Sequence, residues 1–168
     1  MAFAAFEEAH DNSEQAESIY VRVCNDLATG HAESVIRFVN FYRRQGRHDM
    51  ACAVYERGLE AADSGAMAFL SMHYANYLSR HIKQHDKARE VFDIALSKVP
   101  DSKNLWLAFI AWEKDIETDK RETRVSTLYE RVLASDRLSQ EDKLELYSQY
   151  VEFLNDYGAS IRRYADVH

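Results

Sequence analysis

The chain has 168 residues and a mass of 19.5 kDa, enough for one ordinary domain and too little for two sizeable ones. Five glycines and one proline exclude a β-sandwich or β-barrel, because those folds need many more turn residues. A formal net charge of −7 argues against a dedicated nucleic-acid binder or a protein of anionic membrane surfaces, and it favours protein partners.

The N-terminal sequence and the cysteines predict a reducing compartment. The first residues contain only a short apolar run, with no basic residue before it, which is unlike a secretory signal. Cys24 and Cys52 lie far apart and outside any CxxC motif, so neither a zinc site nor a disulfide framework is indicated. We therefore expect the chain in the cytosol or the nucleus.

One pattern recurs four times: a small residue, an aliphatic residue three positions later, and an aromatic residue directly after that. The small residues are Ala16, Ala51, Ala88 and Val125, at intervals of 35, 37 and 37 residues. A second pattern places side chains, mostly aromatic, at i, i+3 and i+6, on one helix face. Its members are Val35, Phe38, Phe41; Ser71, Tyr74, Tyr77; Trp106, Phe109, Trp112; and Tyr147, Tyr150, Phe153.

Each repeat is therefore predicted to be a helical hairpin. Helix A carries the aromatic stripe, and helix B carries the small residue where the two backbones approach. The predicted fold is an all-α superhelix, or solenoid, of about four and a half antiparallel helix pairs in a single domain, residues 1–168. The predicted units are 1–28, 32–62, 66–99, 103–135 and 140–168.

Both terminal units are predicted to be incomplete. Phe3 and Phe6 fit the last two places of a helix A stripe, so its first place would lie before Met1. At the other end, Ile161 takes the place where helix B begins, close to the end of the chain. We therefore expect this chain to be a fragment of a longer array.

Turn chemistry predicts where the helices end. Gly46 fits a helix C-terminus, Pro100 with Ser102 fits the end of one helix and the start of the next, and Gly158 is expected to separate the last pair. Gly65 is expected in another turn. Gly58 instead falls inside a helix B, which predicts that a neighbouring helix passes close to it.

The stripe of Trp106, Phe109 and Trp112, followed by Tyr-Glu-Arg at 129–131 and again at 55–57, resembles the HAT (half-a-TPR) repeat of RNA-processing proteins. Tetratricopeptide repeats are similar, and Ala88 with Pro100 would suit them. The aromatic stripe and the two Tyr-Glu-Arg sites favour HAT. Residues 146–164 resemble the C-terminal HAT repeats of scaffolds of the U1 small nuclear ribonucleoprotein.

That resemblance implies a nuclear, non-enzymatic scaffold that binds protein subunits of a splicing ribonucleoprotein in 5′ splice-site selection. It also implies self-association through the C-terminal repeat. From the charge balance and the lack of site motifs we expect only weak or indirect contact with RNA, and no cofactor. The alternatives are a HAT scaffold of mRNA 3′-end processing, of the cleavage stimulation factor type, and a helical-repeat protein that binds RNA directly.

Two groups of residues are candidates for a chemical site. His81 and His85 have the i, i+4 spacing of a metal site, but no third ligand accompanies them, and we interpret them as part of a solvated turn. Glu113, Asp115, Glu117 and Asp119 form an acidic run that is interpreted as a solvated loop. Neither supports catalysis, so no catalytic, cofactor or metal residue is predicted.

Two surfaces are predicted to bind partners. Arg43, Arg44 and Arg47 lie in a segment, residues 37–100, with ten basic and seven acidic residues, so they are candidates for an acidic protein segment or for RNA. A solenoid must end in a polar cap or a partner, and the last unit is rich in apolar residues. The candidate dimer or partner residues there are Tyr147, Tyr150, Phe153, Tyr157, Ile161 and Tyr164.

Overall fold

The computed structural model describes Ala4, residues 13–22 and residues 31–167, with side chains described as far as Tyr157. Within these ranges the regular elements are helices and no strand occurs, which confirms the predicted all-α helical repeat. The α-helices are α1 (Ser13–Arg22), α2 (Ala32–Arg44), α3 (His48–Ala61), α4 (Ser64–Tyr77), α5 (His85–Lys98), α6 (Lys103–Asp115), α7 (Arg121–Ala134) and α8 (Gln140–Val167). A π-helix, Leu78–Ile82, continues α4.

The chain forms two compact units, Met1–Ser97 and Lys98–His168. In the first unit α2 packs against α3, and α4 packs against both. In the second unit α7 packs against α6 on one side and α8 on the other. Successive helices alternate between the A and B patterns. The number of repeats, and their membership of one domain, stay predictions.

The side chains that define the repeat are buried. Ala16, Ala51, Ala88 and Val125 are each completely inaccessible to solvent. The three stripes that begin at Val35, Ser71 and Trp106 are also buried along their whole length. The register is therefore confirmed, and these aromatic rings form the core of the hairpins and are not a platform for stacking bases.

Most predicted helix ends are also confirmed. Gly46 has φ +70°, and its N–H and that of Arg47 donate to the carbonyls of Arg43 and Tyr42, which is a Schellman motif. Ser102 caps α6 by accepting from the Leu105 N–H at 3.3 Å. Gly65 lies just inside α4, so the expected turn there is offset.

The residue that caps the N-terminus of α4 is Asp63, directly before Ser64. Its side chain accepts a hydrogen bond of 2.7 Å from the Ala66 N–H, which satisfies one of the free donors of the first helical turn. A carboxylate can supply this bond and a glycine cannot, which explains why the helix begins after Asp63.

Gly58 marks the close crossing that the sequence predicts. A Cβ at this position would lie 2.8 Å from Cγ2 and 3.0 Å from Cγ1 of Val35. Gly58 is in α3 and Val35 is in α2, so the missing side chain allows the two helices of this hairpin to approach. Gly58 therefore lies inside a helix, and not in a turn, because a side chain there would collide with Val35.

The Tyr-Glu-Arg sites join one repeat to the next. Tyr55 stacks on Tyr74 with ring centroids 4.8 Å apart, and the Tyr74 hydroxyl donates to Glu56 at 2.8 Å. The second site repeats this arrangement, because Tyr129 stacks on Tyr150 at 4.9 Å. The motif thus supplies an aromatic face and a hydrogen-bond acceptor to the following helix A.

The first helix B makes a related contact. Tyr20 of α1 stacks on Phe38 with centroids 5.5 Å apart, and the Tyr42 hydroxyl donates to Glu17 at 2.7 Å. This hydrogen bond lowers the pKa of Glu17, which the charge of Arg47 also lowers. The same aromatic position of helix B therefore binds the next stripe wherever the two lie in one described unit.

The expected break at Gly158 is wrong. Helix α8 runs from Gln140 to Val167 without interruption, so Gly158 and Ile161 are both helical. A glycine inside a helix costs only about 1 kcal/mol relative to alanine, which a long run of good helix formers outweighs. Phe3, Phe6 and Cys24, to which the sequence analysis also referred, lie outside the described residues.

Candidate partner-binding surfaces

The last aromatic stripe is divided between packing and exposure. Tyr150 and Phe153 are half-buried against Tyr129, and the Lys114 ammonium lies 5.3 Å from the centre of the Phe153 ring. The Tyr150 hydroxyl also donates to Glu130 at 3.3 Å. These two residues therefore hold α8 on α7, and any change to them also perturbs this packing.

A second stripe on α8 is exposed and apolar. It begins at Leu144, which is 68% exposed, and includes Tyr147, which is 55% exposed. Val151 and Leu154 continue it with spacings of three and four, the spacing of a helix–helix contact in coiled coils. We call Leu144, Tyr147, Val151 and Leu154 the α8 stripe. In the second unit, none of the described residues covers it.

Of the other predicted C-terminal residues, the structure describes the side chain of one and only the helical backbone of two. Tyr157 is exposed on α8. Ile161 and Tyr164 belong to the same helix, but their side chains lie outside the described residues. Partner binding by the whole set stays a prediction. Leu144, Val151 and Leu154 are not among the predicted residues, although their heptad-like spacing is visible in the sequence.

The three predicted arginines have different surroundings. Arg47 forms an ion pair with Glu17 at 3.0 Å and lies 4.8 Å above the ring of Tyr42, so it joins α1 to α2. Arg43 is exposed and donates to the side chain of Asn40. Arg44 is exposed as well and has contacts of its own. Partner or RNA binding by these residues stays a prediction.

The histidine pair is divided between two elements, and the acidic run is divided between buried and exposed positions. His81 lies in the π-helix and His85 begins α5, so they do not share one regular helix face. Asp115, Glu117 and Asp119 are exposed, as expected for a solvated loop. Glu113, in contrast, is only 1% exposed. It lies four residues after Phe109, on the inner face of α6. Among the residues that the structure describes, no cluster of three or more metal-ligating side chains occurs.

Cys52 is buried in α3 beside Tyr74, and burial raises the pKa of its thiol. It therefore behaves as a small apolar side chain, as expected. No helix in the described ranges is long and apolar enough to cross a membrane.

These helical hairpins can be compared with known families. Residues 1–164 match the family model described as the pre-mRNA-splicing factor Syf1/CRNKL1 C-terminal HAT repeat. The chain belongs to the HAT repeat family. The resemblance seen in the sequence is thereby confirmed. The HAT-type Tyr-Glu-Arg sites are the residues that join consecutive repeats.

One curated relative extends the comparison. The Drosophila melanogaster protein suppressor of forked is 24% identical over 157 residues, which is 94% of this chain and 20% of that protein. The chain thus spans about a fifth of the length of that relative.

Proposed function

We propose that this HAT-repeat chain is a non-enzymatic scaffold in pre-mRNA splicing and acts in the nucleus. The observation that carries the proposal is the family match over residues 1–164. The matching family model describes a HAT repeat found in pre-mRNA-splicing factors. The packing supports it. The three buried stripes form the interior of the repeats, which leaves the helix surfaces for partners.

The finer assignment is to the U1 small nuclear ribonucleoprotein and to 5′ splice-site selection. It rests on the resemblance of residues 146–164 to scaffolds of that particle. A 3′-end-processing scaffold remains the alternative of the same class. Affinity capture from nuclear extract, with identification by mass spectrometry, separates them: enrichment of U1 proteins supports the assignment, and enrichment of cleavage factors alone refutes it.

Direct RNA binding is the alternative of a different class. Arg47 is engaged with Glu17, and the repeat-forming aromatic rings in the three complete stripes are buried, so neither presents a ready surface to bases. Reversing the charges of Arg43, Arg44 and Arg47 together should abolish any weak RNA affinity. Tight binding that survives both this change and moderate salt would refute the scaffold proposal.

We also propose that the chain self-associates through the α8 stripe. Water penalises exposed apolar surface by about 25 cal/mol per Å², and a two-fold contact between copies of α8 would cover this stripe on both. The heptad-like spacing suits a second helix better than a loop.

Sedimentation equilibrium tests the self-association. We expect Leu154→Glu to shift the chain toward monomer, because the exposed position tolerates glutamate in the folded monomer but not in an apolar contact. Gln149→Glu makes the same charge change on the side of α8 away from the stripe, where Gln149 contacts Glu145, and should leave association unchanged. A wild-type chain that stays monomeric at high micromolar concentration would refute the proposal.

A further inference from the structure

Five polar side chains gather in the first unit where α2 ends, α3 begins and the π-helix follows α4. The Tyr77 hydroxyl lies 2.6 Å from Nδ1 of His48, within hydrogen-bonding distance. The ring of His81 lies 5.0 Å from that of Tyr77 and 6.5 Å from that of His48, centre to centre. We call the following residues the basic cluster: Arg43, His48, Tyr77, His81 and Lys83.

An unusual backbone builds this cluster. The π-helix Leu78–Ile82 is wider than an α-helix, and Lys83 closes it in the left-handed conformation with φ 63°. The Gln84 N–H donates to the Leu78 carbonyl at 3.0 Å, which completes the closure. The left-handed conformation is unfavourable for a residue with a Cβ. Such π-turns are frequent at functional sites, and this one places His81 beside His48.

Among the described residues, no carboxylate pairs with the arginine or the lysine of the cluster. Arg43 donates to the neutral Asn40, and neither Arg43 nor Lys83 forms an ion pair with a described residue. Other basic residues of the same unit do: Arg47 pairs with Glu17, and Lys87 with Glu56. In a chain with 28 acidic residues, this exception indicates that the cluster's counter-charge comes from elsewhere.

Several positive charges lie close enough to His81 to affect its pKa. Desolvation lowers the pKa of His81, and the charges of Arg43, His48, Lys83 and Arg80 lower it further. Burial raises the pKa of the neighbouring Tyr77 hydroxyl, and Arg43 opposes that rise. An anion placed among these groups would reverse the effect on His81, because it would favour the imidazolium form.

We propose that the basic cluster is a carboxylate-binding site for an acidic segment of a protein partner. A peptide carboxylate fits better than RNA. A long polyanion needs many phosphate contacts, whereas the cluster is confined to one turn region and the chain as a whole has a net charge of −7. The partner class rests on the proposed scaffold function.

Proton uptake accompanies binding at this site. His81 binds a proton more readily when a carboxylate lies beside it, so affinity rises as the pH falls from 7.5 to 6. His81 therefore sets the pH dependence.

The experiment uses hexaglutamate peptide as the probe, with hexaglutamine as its uncharged control. Imidazole Cε1–H resonances are followed by NMR as a function of pH, with and without peptide. We expect hexaglutamate to raise the titration midpoints of His48 and His81 by at least half a pH unit. His73 lies outside the cluster and serves as the internal control. Unchanged midpoints for His48 and His81 would overturn the proposal.

Three variants locate the site. Arg43→Gln and Lys83→Asn each should weaken hexaglutamate binding at least tenfold, since asparagine tolerates the left-handed backbone and removes the charge. Arg37→Gln makes the same charge change on α2, at an exposed residue paired with Glu33, and should change affinity less than twofold. Equal losses in all three variants would mean non-specific attraction and would overturn the site.

A decauridine RNA and inorganic phosphate complete the series. If either one shifts His48 and His81 while hexaglutamate does not, the assignment to peptide carboxylates is wrong. Circular dichroism melting of each variant checks that the fold is intact. These outcomes do not depend on which particle the chain joins, so the site and the proposed scaffold function fail separately.

Discussion

The close approach of α2 and α3 at Gly58 predicts an unusual response to alanine. In an exposed helix, replacing glycine by alanine stabilises the fold by about 1 kcal/mol. At Gly58 the new Cβ would lie 2.8 Å from one γ-methyl of Val35 and 3.0 Å from the other, whereas an ordinary contact is 3.4–4 Å. Valine in a helix strongly prefers one χ1 rotamer, so rotation of Val35 relieves the clash only at a cost, and we expect the two helices to separate instead.

Such overpacking costs about 1–3 kcal/mol, so Gly58→Ala should destabilise the chain by about 1 kcal/mol net after the gain in helix propensity. For a chain of this size that corresponds to a fall of about 2–4 °C in the melting temperature. Urea unfolding, followed by circular dichroism, measures the free energy of unfolding of wild type and variant under the same conditions.

Gly65→Ala is the matched control. Gly65 is also helical, in the first turn of α4, and a Cβ there would meet only the Asp63 side chain at 3.4 Å. This variant should be neutral or more stable than wild type. Combining Gly58→Ala with Val35→Ala should recover part of the loss, since the clash is then absent. If Gly58→Ala stabilises the chain as much as Gly65→Ala, the close crossing is refuted.

Three further predictions concern other contacts. Ala88→Arg should lower the free energy of unfolding by about 3 kcal/mol or more, because it buries an unpaired charge at a fully buried position; an unchanged melting curve would contradict the repeat register. Tyr74→Phe should cost about 1–2 kcal/mol by removing the donor to Glu56, while the exposed Tyr147→Phe should cost less than about 0.5 kcal/mol; equal costs in urea unfolding would contradict the hydrogen-bond argument. Desolvation lowers the pKa of His73, so the unfolded chain binds a proton that the folded chain does not, and stability should fall as the pH drops below about 6.5. His73→Gln should flatten that pH dependence, and a stability that rises in acid would contradict it.

The sequence predicted the helical repeat well because its signal is periodic and depends on burial. The small residues Ala51 and Ala88 and the stripe at Trp106 recur at intervals that only a stacked hairpin satisfies, and the structure buries all of them. The Schellman turn at Gly46 was predictable for a different reason: glycine is the residue that adopts its left-handed conformation without cost.

The basic cluster was not predictable as a unit. Its members come from three α-helices, the π-helix and the left-handed Lys83 that follows it, and neither the π-helix nor that conformation has a sequence signature. His81 and His85 attracted attention through their spacing, but the true neighbour of His81 is His48, more than thirty residues earlier. Long-range pairs of this kind depend on how helices pack, which one sequence does not reveal.

Helix α8 shows how two neighbouring stripes on one helix can be confused. Tyr147, Tyr150 and Phe153 follow the spacing of the earlier stripes, so the sequence predicts one common role for all three. The structure separates them, because Tyr150 and Phe153 pack on α7 while Tyr147 belongs to the exposed stripe with Leu154. Changes at Tyr150 or Phe153 would therefore combine the effects of lost packing and lost association. Leu154→Glu removes apolar surface from the exposed stripe alone, so only a change of that kind measures self-association separately from folding.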